Sequence, residues 1–168
     1  MKQFQADNRL ASTRFKKYKS KAALYLLLIV PFLCFEVMYN YHKHHSAVYI
    51  LLFAIFSFGL FGLFIFSIYN GVMQINRILN KIEIDSTQIV FETFDTSMFF
   101  NLVKKDSRVV SAERNQIIFS LSSVQYGFDI KYTGDIYLLN YGGNEYLIPE
   151  IFFDRFYELK NALENSNQ

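Results

Sequence analysis

Two apolar runs restrict what this chain can fold into more than any other feature. "AALYLLLIVPFLCFEVMYN" fills residues 22–40 and "AVYILLFAIFSFGLFGLFIFSIY" fills residues 47–69. A helix needs about 20 consecutive apolar residues to cross a bilayer core, and both runs come close to or exceed that. Between residues 22 and 72 the only formal charges are Glu36 and Lys43. Pro31 lies in the first run, where a spanning helix tolerates a proline as a kink if neighbours satisfy the freed carbonyl. No small-residue cleavage site follows that run and a second span comes almost at once, so a signal peptide is set aside. The expectation is a membrane hairpin over residues 22–72, with spans at about 22–40 and 47–70.

Basic residues orient the hairpin. Residues 1–21 form a basic leader carrying Lys2, Arg9, Arg14, Lys16, Lys17, Lys19 and Lys21, and Arg77 and Lys81 follow the second span. The link between the spans offers only Lys43. Cytoplasmic segments collect lysine and arginine, so both termini are expected in the cytoplasm of a multi-pass protein of the plasma or inner membrane. Arg14, Lys16, Lys17, Lys19 and Lys21 are the residues expected to meet the anionic headgroups.

That link, "NYHKHHSAVY", holds every histidine in the chain, His42, His44 and His45, flanked by Tyr39, Tyr41 and Tyr49. Three imidazoles match the ligand count of a catalytic zinc site, and histidines titrate in the physiological range. Lys43 sits among them, however, and no acceptor that would fix the imidazole rings is evident beside them. The preferred reading is a polar tip anchored by an aromatic belt, with no metal. Glu36, a carboxylate inside an apolar run, is a candidate for an ion or proton pathway. Two spans enclose no pathway without oligomerising, and its place near the outer end favours an interfacial or packing role. Cys34 stands alone and predicts no disulfide. Ser67 and Gly71 have the small-xxx-small spacing of close helix contacts, whereas Gly59 and Gly62 do not.

Beyond the spans, "GVMQINRILNKI" places Val72, Ile75, Leu79 and Ile82 at helical spacing and predicts a stalk. Strand patterns follow: "IEIDSTQIVFETF" with a turn at Asp85–Thr87, then "RVVSA", "NQIIFSL", "QYGFDIKYT" and "DIYLLNY". "YGGNE" joins the last of these to "EYLI" as a hairpin. Phe152, Phe153, Phe156, Leu159 and Leu163 form the apolar stripe of a closing helix after Pro149. Residues 73–168 are therefore expected to be a stalk and an α+β domain, a small curved antiparallel sheet or barrel plugged by a helix.

"IYLLNYGGNEYLIPEIFF" followed by "DRFYELKNAL" resembles the end of a bacterial PH-like domain of the YcxB-like kind. The shared elements are the Ile148–Pro149 step, the aromatic at Phe152 or Phe153, and the closing helix. "FSLSSVQY" resembles the turn before the later strands, with Phe119 where tryptophan is usual. Glu150 stands where that family commonly has basic residues, and residues 95–115 have no counterpart. The resemblance implies two N-terminal membrane helices and a cytoplasmic PH-like domain.

No phosphate-cradling loop, HExxH or nucleophile elbow is present, and residues 83–168 contain no histidine. The expected function is therefore non-enzymatic and without cofactor: a PH-like module that binds a cytoplasmic protein or peptide. The alternatives are an oligomeric transport or channel component and a lipid-binding module. Residues 83–168 carry thirteen acidic and seven basic side chains, which argues against a nucleic-acid partner and against recognition of anionic lipid by the domain. Lys104 and Lys105, the only adjacent basic pair there, are expected in a loop. The bilayer and a further copy of the chain complete the expected partners.

Overall fold

The computed structural model describes residues 1–43, 46–98, 103–122 and 135–164. Strand β1 (Lys2–Gln5) precedes two long helices, α1 (Asn8–His42) and α2 (Ala47–Ile75). Then come β2 (Leu79–Ile84), β3 (Gln88–Thr93), β4 (Thr96–Met98), β5 (Val103–Lys105), β6 (Val109–Glu113), β7 (Ile118–Leu121), β8 (Ile136–Tyr141), β9 (Asn144–Pro149) and the closing helix α3 (Phe156–Glu164). The chain divides into two compact units. One comprises residues 17–70, and the other combines residues 1–16 with 71–168.

The first unit is the hairpin. Both helices are long and apolar enough to cross a membrane. From Ala22 to Tyr41 α1 rises about 30 Å at 1.5 Å per residue, close to the roughly 30 Å of a bilayer core. Pro31 lies inside α1 without ending it. Leu24, Leu27, Val30, Phe32 and Phe35 are exposed on α1, as are Leu52, Phe56, Leu60 and Leu63 on α2. Helices apolar all round suit a lipid surround rather than water.

In the second unit every ladder is antiparallel, in three open sheets of order β1-β2-β3-β6, β4-β5 and β7-β8-β9. No pairing among the described residues closes them into a barrel. An isolated bridge, Ile78 with Leu147, ties the approach to β2 to β9. The inner face of the first sheet buries Phe4, Ile82, Ile84, Ile89, Phe91 and Ala112. The β7-β8-β9 sheet contributes Tyr137, Leu139, Tyr146 and Ile148, and α3 contributes Phe156, Leu159 and Leu163. Ring contacts join these layers: Phe91 with Tyr146 at 4.7 Å and Tyr137 with Phe156 at 5.0 Å. Each buried leucine, isoleucine or phenylalanine among them contributes about 1.5–3 kcal/mol of burial free energy.

Several expectations need correction. The stalk ends at Ile75, and Leu79 and Ile82 belong to strand β2. A register shift between Leu79 and Lys81 inserts an extra residue, so Leu79 and Ile82 both turn inward. A bulge thus reproduces the three-residue spacing of a helix. Within the leader, Lys2–Gln5 forms strand β1 and α1 begins at Asn8. Residues 95–115, without counterpart in the resemblance, supply β4, β5 and β6, and Lys104 and Lys105 lie in β5 rather than in a loop. After Pro149 the chain makes a short 3-10 turn, Glu150–Phe152, before α3 starts. "QYGFDIKYT" lies outside the described residues, and the other expected strands are present.

Candidate functional site

The start of α1 is fixed by Asp7, whose Oδ1 accepts the backbone N–H groups of Arg9 (2.8 Å) and Leu10 (3.0 Å). This is an N-cap, and its negative charge also suits the positive helix end. Ala11, Phe15, Tyr18 and Ala22 are buried at steps of four, three and four residues and define one stripe of the helix. Within the sheet unit Phe15 meets Phe94 at 5.2 Å and Phe152 at 6.0 Å, both edge-on. Burial pushes the Tyr18 phenol above the usual tyrosine range. Opposite the stripe, Arg9, Lys16 and Lys17 are exposed, with Arg14, Lys19 and Lys21 half-buried along its flanks. The basic residues thus form a collar on the first turns of a helix and point several ways around it.

At the other end of α1, Tyr39, Tyr41 and Tyr49 are exposed, and the Lys43 ammonium lies 4.7 Å from the centre of the Tyr39 ring. His42, the last residue of α1, is exposed, while His44 and His45 lie outside the described residues. Glu36 is half-buried, and its backbone carbonyl accepts a 2.8 Å bond from the buried Asn40 side chain. Lys21 and Glu36 are separated by about 22 Å along the helix, so the collar and the carboxylate belong to different levels. Cys34 is a free, exposed thiol. A Cβ added at Gly59 or Gly62 would meet nothing within 4 Å, so neither glycine supports close helix packing in the hairpin.

The sheet unit offers a second feature, its β6 edge. Thr93 N–H donates to the Arg108 carbonyl (3.0 Å), and Arg114 N–H donates to the Thr87 carbonyl (3.1 Å). With Phe91 opposite Val110 and Ile89 opposite Ala112, antiparallel alternation turns the N–H groups of Val109, Ser111 and Glu113 away from β3. The Val109 and Ser111 carbonyls point the same way. Their side chains lie on the outer face of the sheet, and Val109 is 69% exposed. The neighbouring rows of that face hold Gln3, Gln5, Lys81, Glu83, Val90 and Glu92. Lys81 pairs with Glu83 at 2.6 Å. Among the described residues Glu113 meets only the Gln116 amide, at 3.5 Å. The sequence marks "RVVSA" as a strand, but nothing in five residues says that it ends a sheet.

Lys104 ion-pairs with Asp106 at 2.8 Å, which raises its pKa. The pair is thereby partly neutralised as an anion receptor. Comparisons with protein-family models, with curated proteins and with solved structures find no match.

Proposed function

We propose that the chain is a non-enzymatic, membrane-anchored binding protein, with its hairpin in the plasma or inner membrane and both termini in the cytoplasm. Its sheet unit is a PH-like, YcxB-like module that holds a cytoplasmic protein or peptide. One observation carries the arrangement: β1, before the first apolar helix, pairs with β2, after the second, with Lys2 opposite Ile84 and Gln5 opposite Lys81. Strands that share a ladder lie on one side of a membrane, which supports a shared compartment for the segments flanking the hairpin. The nine basic residues on that side, against Lys43 in the link, favour the cytoplasm. The acid excess of residues 83–168 favours a protein partner over anionic lipid.

Reporter fusions test this reading. A cytoplasm-dependent reporter after Gln168 should be active, and an export-dependent reporter inserted at Ser46 should be active in the same host. The reverse pattern, or opposite sides for the two termini, would overturn it.

A further inference from the structure

We propose that the β6 edge receives an extended peptide as an added strand, with a basic residue beside Glu113 and an apolar residue beside Val109. This deepens the reading of the unit as a peptide-binding module and rests on it. Three observations converge on the edge. Among the described residues the outward backbone groups of Val109, Ser111 and Glu113 have no strand partner, and they offer a ladder template. It has no proline, and its register against β3 is regular from Gln88–Glu113 to Glu92–Val109, so a straight strand can continue it. Its outer face has the exposed Val109 side chain at one end and, at the other, the Glu113 carboxylate, which among the described residues faces no cation.

Those features dictate a pattern. An antiparallel strand paired at Val109, Ser111 and Glu113 places alternate side chains on the same outer face. The first faces Glu113 and gains from a lysine or arginine. The third faces Ser111 and is small or polar, and the fifth faces Val109 and is apolar. The second and fourth lie beside Ala112 and Val110 on the inner face, where apolar residues fit. Lys81 already lies between Glu83 and Glu92, so Glu113 is the carboxylate of this face left for a cationic partner.

The probe is a labelled peptide, GKVSVLG, titrated into the full chain in phosphatidylcholine nanodiscs, which present no anionic headgroup. Binding is read by fluorescence anisotropy and by amide hydrogen exchange. The expected result is slowed exchange at Val109, Ser111 and Glu113, with the amides of Val110 and Ala112 unchanged. Ser111→Pro removes an outward N–H without removing a bond to β3 and should weaken binding by about tenfold or more. Glu113→Lys should weaken this peptide and favour GEVSVLG instead. Unchanged exchange at Val110 and Ala112 shows that either variant is folded. The inference is overturned if the peptide fails to bind, if both variants bind it as the wild type does, or if protection falls elsewhere. It is equally overturned if the edge amides become protected with protein concentration alone, which would make a second copy the occupant. A partner recovered from native membranes equally by wild type and Ser111→Pro would leave the binding-module reading standing and remove the edge from it.

Discussion

Gly142 and Gly143 show how much a pair of residues can specify. They join β8 to β9 with φ of +56° and +75°, the signs a two-residue hairpin turn requires at both central positions. A Cβ at either position would meet nothing within 4 Å, so substitution there is penalised by the backbone alone. Gly143→Val should cost about 1–3 kcal/mol, read as a lower midpoint of thermal unfolding by circular dichroism in mild detergent. An unchanged midpoint would mean that the turn is free to change type. This hairpin was legible because two glycines stand between alternating runs, and Phe156, Leu159 and Leu163 were legible as core from their helical period, whereas Phe152 is buried from the 3-10 turn before α3. Leu79 and Ile82 were not. A bulge gives them helical spacing inside a strand, and composition cannot separate the two.

At the scale of elements, β1 is the instructive case. "KQFQ" has one apolar residue and therefore no period to detect, and its partner lies about eighty residues away in sequence. What makes it a strand is tertiary: Phe4 is buried, with the Arg155 guanidinium 5.6 Å from its ring centre. Phe4→Ala should destabilise the sheet unit by about 3–5 kcal/mol, and hydrogen exchange in β2 should quicken before that in β8 and β9. Uniform exchange across both sheets would show that they open as one. The two apolar helices, by contrast, were readable from length and composition, because each is long and apolar enough to cross a bilayer. The β6 edge was unreadable as an edge, since strand order is a property of the assembled sheet and not of any one strand.

The whole molecule separates its charges, with a basic collar on α1 and an acid excess in residues 83–168. Each basic side chain near an anionic leaflet is worth about 1 kcal/mol. Reversing the exposed pair, Lys16→Glu with Lys17→Glu, should lower the fraction of spin-labelled phosphatidylserine held by the full chain in mixed vesicles. Salt should erase the difference between wild type and variant, because the Debye length shrinks from about 10 Å at 0.1 M to about 3 Å at 1 M. A salt-independent difference would assign those lysines to packing. The β1–β2 ladder carries a further consequence, in time. β1 is made about eighty residues before its partner is complete at Ile84. At roughly 5–20 residues per second this is a wait of about 4–16 s, during which, on the proposed topology, both helices enter the bilayer. On that topology the ladder excludes insertion of a single span: a chain that inserts only one helix puts β1 and β2 on opposite sides of the bilayer and leaves Phe4 without its partner strand.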